Sequence, residues 1–140
     1  MYKNDKNCKA AGIIIYRIRS NKPQILGLVA LPRFQKESNG KFDVPKGQRD
    51  PGETPTQCAF RECFEEAGLK PKILEAGPFK YRTIWFYLAE CDKTPMLKAN
   101  PETGKKEHLG YEWLDCDYII DNCLDYLRLP LIWARSIIQK

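Results

Sequence analysis

Between positions 47 and 69 the chain reads GQRDPGETPTQCAFRECFEEAGL, and within that stretch Glu62, Glu65 and Glu66 are spaced i, i+3 and i+4. On a helix this spacing places all three carboxylates on one side, within a turn of one another. Thr54 can cap such a helix, Pro55 suits its first position and Gly68 can end it in the left-handed conformation, which predicts a helix over residues 54–67. Ala59, Phe60, Cys63, Phe64 and Ala67 then form the face expected to be buried. Like charges at i and i+4 cost a few tenths of a kcal/mol, about what an i,i+4 pair is worth, and a divalent cation removes that cost.

Carboxylate oxygens are hard ligands that select magnesium, with manganese able to substitute. Magnesium keeps several waters and takes its remaining oxygens from phosphates. An ion held there lowers the pKa of water and neutralises charge on a phosphoanhydride, which is the chemistry of diphosphate cleavage. The preceding segment, residues 45–52 (PKGQRDPG), has two glycines that let the backbone turn sharply and approach a metal or phosphate, with Lys46 and Arg49 as candidate phosphate contacts. A lone Glu-Glu pair on a helix is ordinarily a solvated face, and Pro51-Gly52 alone is only a turn. The joint spacing decides against those readings.

Gly47, Glu53, Arg61, Glu62, Glu65, Glu66 and Gly68, with Cys63 and Leu69 in the two apolar slots, occupy every fixed position of the signature of the Nudix hydrolases, which the chain resembles. At roughly 7% average usage per residue type, such a match arises by chance on the order of once in a million sequences. The resemblance implies a mixed β-sheet sandwiched between helices (α/β/α). It also implies that the Gly47 carbonyl joins Glu62, Glu65 and Glu66 as metal ligands, and that Glu53 and Arg61 pair to brace the loop against the helix.

Similarity to the asymmetrical diadenosine tetraphosphate hydrolases extends further. It rests on the strand start Ala11-Gly12-Ile13-Ile14-Ile15-Tyr16, on Pro45-Lys46-Gly47, on Lys80-Tyr81-Arg82-Thr83 leading to Leu88-Ala89-Glu90, and on Glu107-His108 followed by Tyr111-Glu112-Trp113-Leu114. It implies that Glu107 is a further metal-facing carboxylate, that Lys46, Lys80 and Arg82 reach the polyphosphate, and that Phe86 stacks on adenine. Glu62, Glu66 and Glu107 are the implied catalytic carboxylates, and either Glu62 or Glu107 can serve as the base. His108 reads as structural, because the chemistry calls for oxygen ligands. Pro-Lys-Gly also occurs in RNA 5′-pyrophosphohydrolases and decapping relatives, so an RNA 5′ end is the alternative substrate.

A chain of 140 residues is read most simply as one domain, 1–140, able to bury about two-thirds of its unfolded surface. Its six cysteines show no C-x-x-C or zinc-finger spacing. The opening MYKNDK lacks the apolar core of a signal peptide, and no apolar run approaches membrane-spanning length, so a reduced, cytoplasmic protein is expected. The net charge of +5 favours polyanionic partners such as nucleotides, while no aromatic-interleaved basic motif suggests a DNA groove. A monomer or weak homodimer is expected.

Along the chain, residues 10–19 and 24–31 read as strands around a turn, 33–41 as a polar loop, 42–44 as a short apolar piece, 72–75 and 82–91 as strands, and 92–106 as a surface loop. Residues 107–115 recover a strand pattern. Asp117 is expected to cap a helix to about Arg128, with an interruption at Leu129-Pro130 before a last helix over 130–138. Strands with one central helix and a helical end define an α+β class.

Overall fold

A computed structural model describes residues 5–139; Met1 to Asn4, the start of the segment read for a signal peptide, lie outside the described residues. Ile13, Ile14 and Ile15 are fully buried in the middle of β1 (Ala10–Arg19), as expected of a strand covered on both faces. A two-residue turn at Ser20 and Asn21, both with positive φ, joins it to β2 (Lys22–Ala30) in register Arg19 to Lys22. Helix α1 is Pro32–Ser38, β3 is Phe42–Asp43, β4 is Lys46–Gln48 and α2 is Pro55–Ala67. Strands β5 (Lys72–Ile73), β6 (Phe79–Tyr81), β7 (Ile84–Glu90) and β8 (His108–Asp115) follow, then α3 (Cys116–Asn122), a 3-10 turn (Asp125–Leu127) and α4 (Arg128–Ile138).

The sheet runs β3-β2-β1-β7-β5, with β4 beside β1, β6 beside β7 and β8 beside β2. Among the named strands of the described residues only β1 and β7 pair in parallel, so the sheet is mixed and the class is α+β, as expected. One face packs Ile13, Ile15, Leu26 and Leu28 against Cys58, Ala59 and Cys63 of α2. The other packs Ile14, Ile25, Phe86 and Leu88 against Ile119, Leu127 and Leu131 from the carboxy-terminal helices. All six cysteines are free thiols, and no helix among the described residues is long and apolar enough to cross a membrane.

Several local expectations are corrected. The loop expected at 33–41 contains α1, which starts with Pro32 in its first turn and ends at Asn39 in the left-handed region. None of its residues is buried, so it carries no apolar periodicity to read. The expected helix from Asp117 to Arg128 breaks at Cys123, whose extended backbone bridges Phe42. There Lys41 N donates to Asn122 O at 2.7 Å and Leu124 N to Phe42 O at 2.9 Å, and a Cβ on Gly40 would overlap the Cys123 carbonyl. Pro130 interrupts nothing, because it lies in the first turn of α4, where its missing N–H is no loss. On α2, Phe60 and Phe64 are exposed, while Cys58, Ala59, Cys63 and Ala67 are buried. The ammonium of Lys98 lies 3.7 Å from the Phe64 ring centroid, so this aromatic faces cations instead of the core.

Candidate metal and phosphate site

Helix α2 begins with a full capping box: Thr54 accepts from Gln57 N at 3.1 Å, and the Gln57 side chain accepts from Thr54 N at 2.9 Å. Gly68 closes it in the left-handed region, its N–H donating to Phe64 O. The helix lies under β4, whose Gly47 faces Glu62 so closely that a Cβ there would overlap the Glu62 carboxyl group. Glycine at 47 is therefore required by the approach of a carboxylate to the backbone.

Arg61 ties the loop to the helix. Its Nε and Nη2 donate to the two carboxylate oxygens of Glu53 at 2.7 and 3.0 Å, and Nη2 also donates to Gln48 O at 2.9 Å. Glu53 in turn accepts from Asp50 N at 2.9 Å. The hydrogen bonds from Arg61 hold the Glu53 carboxyl below the usual carboxylate range against the opposing effect of its partial burial. Arg61 Nη1 also reaches Glu62 at 2.8 Å and Glu65 at 3.4 Å.

Lys46, Gly47, Glu62, Glu65, Glu66 and Glu107 line one cavity of about 390 Å³, together with Asp50, Arg61 and residues of the 100–102 loop. Asn100 Nδ2 donates to Glu107 at 3.3 Å and so links that loop to the carboxylate on the far wall. The Glu62 and Glu66 carboxyl groups lie close enough to alter each other's ionisation. Burial raises both above the ordinary carboxylate range, and for Glu66, with Glu62 adding to the effect, the value is pushed up to about 10. Two buried acids, each raised in pKa, are groups that a cation would accept as ligands in a proton's place.

Among the described residues no three acidic, histidine or cysteine side chains are drawn tightly enough together to enclose an ion on their own. The donor set still fits magnesium, because all its members are hard oxygens and magnesium takes few protein ligands, leaving the rest to water and phosphate. Glu62, Glu65, Glu66, Glu107 and the Gly47 carbonyl are the residues that would hold it.

Other sequence candidates lie elsewhere. Lys80 and Arg82 do not line this cavity: the Lys80 ammonium sits 4.2 Å from the Trp85 ring centroid, and Arg82 occupies the positive-φ turn between β6 and β7. The expectation that Phe86 stacks on adenine is corrected, because its ring is fully buried between the sheet and the carboxy-terminal helices, with no face left for a base. Arg49 turns toward Asp5, at 3.4 Å, and away from the carboxylates.

Sequence reasoning missed Asp43. This buried carboxylate meets His108 Nε2 at 3.0 Å and Lys46 Nζ at 3.1 Å, and accepts from Val44 N at 2.8 Å and Tyr126 Oη at 3.4 Å. Burial pushes its pKa up, but the hydrogen bond from His108, the Lys46 charge and the Val44 N–H outweigh it and leave a lowered value. His108 Nδ1 lies 3.8 Å from Glu66 Oε1, so this network backs the carboxylates of the cavity. A lone acid between Phe42 and Val44 in an apolar piece was the available signal.

The NUDIX domain family matches residues 6–128. The chain is 28% identical over 145 residues to the NAD-capped RNA hydrolase NudC of Chromobacterium violaceum, covering 96% of this chain and 50% of that protein. It is 29% identical over 123 residues to the asymmetrical bis(5′-nucleosyl)-tetraphosphatase of Sus scrofa, covering 78% and 80%. The chain spans half or less of the length of the first curated relatives it matches. In fold it is similar to a C. elegans Ap4A hydrolase in a binary complex, with a TM-score of 0.68 and 23% identity over 94% of this chain and 98% of the other. With this match over most of its length, and with the full signature built into the loop and helix around Glu62 and Glu66, the chain belongs to the Nudix domain family.

Proposed function

We propose that this chain is a magnesium-dependent pyrophosphohydrolase of one Nudix domain that cleaves a phosphoanhydride bond in a dinucleoside polyphosphate. The observation that carries the reading is the contact between the Glu62 and Glu66 carboxyls against the Gly47 backbone, in a cavity that also holds Glu65 and Glu107. Bound magnesium would supply Lewis acidity toward the phosphate oxygens and a more acidic water. The chain's own residues do the rest. Lys46, fixed by Asp43, presents a cation to the phosphate chain. Arg61 holds Glu53 and the Gln48 carbonyl, so the loop stays registered on the helix. Glu62 or Glu107 takes the proton from the attacking water, both being carboxylates on the cavity wall.

The tetraphosphatase of Sus scrofa supports the dinucleotide reading, because its match covers 80% of that protein. The likeness to NudC over 96% of this chain favours a second reading, hydrolysis at an RNA 5′ end. One assay separates them. Diadenosine tetraphosphate, NAD-capped RNA and triphosphorylated RNA are compared with magnesium, and the products are identified. The dinucleotide is expected to have the highest kcat/KM and to yield two unequal nucleotides; faster turnover of either RNA would replace this reading with the second.

A further inference from the structure

Beside the carboxylate cavity lies a second pocket of about 320 Å³, between α1 and the 103–107 loop. We propose that it receives the second nucleoside of the substrate, with its base on the exposed ring of Phe34 and its adjoining phosphate among Arg33, Lys105 and Lys106. This rests on the reading of the carboxylate cavity given above.

Five features support it. The two pockets share Glu107, so they adjoin at that carboxylate, within the span of a polyphosphate chain. Leu31 and Phe34 give its lining an apolar part, and Arg33, Lys105 and Lys106 against Glu107 leave its charge predominantly basic, which suits a base joined to phosphate. Phe34 is 40% exposed on a helix that buries none of its residues, so its ring serves no core. The Arg33 guanidinium carbon lies 4.6 Å from the Phe34 ring centroid, so the cation covers one face of the ring and a base would take the other, sandwiching the ring between cation and base. Helix α1 is also held in place: Gln35 Nε2 donates to Ala30 O at 2.7 Å and Phe34 N to Leu31 O at 3.0 Å. The stacking surface is therefore presented before substrate arrives.

The test compares diadenosine tetraphosphate with adenosine 5′-tetraphosphate, which has the same phosphate chain and no second nucleoside. KM and kcat are measured for the unaltered protein, Phe34→Ala, Phe34→Tyr and Arg33→Ala, with thermal midpoints as a control on folding. Phe34→Ala is expected to raise KM for the dinucleotide on the order of tenfold, with kcat and the mononucleotide KM unchanged. Phe34→Tyr should restore it, and Arg33→Ala should raise the dinucleotide KM alone. An unchanged dinucleotide KM in Phe34→Ala, or an equal rise for both substrates, overturns the assignment. If the unaltered protein cleaves neither compound, the proposed function fails on its own, and calorimetric titration of both ligands decides the pocket. Tighter dinucleotide binding that is lost in Phe34→Ala supports it, and equal binding overturns it.

Discussion

Asp43 on β3 and His108 on β8 meet across the end of β2, Oδ2 to Nε2 at 3.0 Å, with both side chains almost wholly buried. An ionised carboxylate only accepts hydrogen bonds, so His108 donates through Nε2–H and its Nδ1 is left facing Glu66. A buried structural pair and a carboxylate of the cavity thus share one imidazole. Asp43 also holds Lys46, so the residue that orients the imidazole positions the cation on the cavity wall.

Replacing Asp43 with Ala leaves Lys46 and His108 without their buried partner and is expected to cost about 3–5 kcal/mol in urea unfolding. The pH dependence has a definite sign. The folded pKa of Asp43 is lowered, so its contribution is complete above the unfolded value near 3.9 and is lost as pH falls through the lower folded value. Urea midpoints of the unaltered protein should therefore drop steeply below about pH 4, and those of Asp43→Ala should drop less. Parallel curves would show that the carboxylate is not ionised in the fold.

Glu66 has the opposite sign. Its raised pKa means that the metal-free fold binds a proton the unfolded chain has lost, so stability declines as pH rises from the ordinary carboxylate range toward 10. Magnesium bound there would replace that proton and reverse the decline. Thermal scans in chelator and in magnesium at pH 6 and pH 9 are expected to show a larger magnesium shift at the higher pH. Glu66→Gln should raise the midpoint of the metal-free protein, abolish the magnesium shift and lower turnover by several orders of magnitude. Turnover equal to that of the unaltered protein would remove Glu66 from the site.

The glutamates of α2 were legible because a helix turns spacing into direction: i, i+3 and i+4 can only fall together, and the capping residues Thr54, Pro55 and Gly68 fixed where the helix starts and stops. Strand β1 was legible for a similar reason, since Ile13 to Ile15 form an apolar run that only a two-faced core accepts. Helix α1 buries nothing, so no pattern marks it. The break at Cys123 is set by Gly40 and Phe42, some eighty residues away in sequence. Phe86 shows the limit of carrying a role over from a resemblance: its strand was placed correctly, yet Phe42, Ile119 and Leu131 belong to the same packed cluster, and local sequence does not report which side chains close over a ring. Asp43 was overlooked because its partners Lys46, His108 and Tyr126 come from three separate elements.

Arg61 makes more bonds than a lysine can replace, with a planar fork to Glu53 and a separate donor to the Gln48 carbonyl. Arg61→Lys is expected to lose about 1.5–3 kcal/mol of stability, the scale of a charge-assisted hydrogen bond. It should also weaken magnesium binding, because the 48–53 loop is no longer held against the helix. Calorimetric titration with magnesium alone, beside urea unfolding, reads both effects. A variant with the stability loss but unaltered magnesium affinity would confine Arg61 to a folding role.

Gly47 gives the sharpest separation of site from fold. It lies on β4 opposite Ala11, in the loop side of the cavity, and the Glu62 carboxyl occupies the space a methyl group would need. Its φ is not in the left-handed region, so alanine there adopts the backbone without strain, and the nearest atoms an added methyl group meets are those of the Glu62 carboxyl. Gly47→Ala must push that carboxylate out of its present place, disturbing its pairing with Glu66 and moving one of the expected metal ligands. Thermal stability in chelator should therefore stay near that of the unaltered protein, because relieving two buried acids of each other offsets the crowding, while magnesium affinity and turnover both fall by an order of magnitude or more. Retained magnesium binding in Gly47→Ala would mean that Glu62 does not hold the ion.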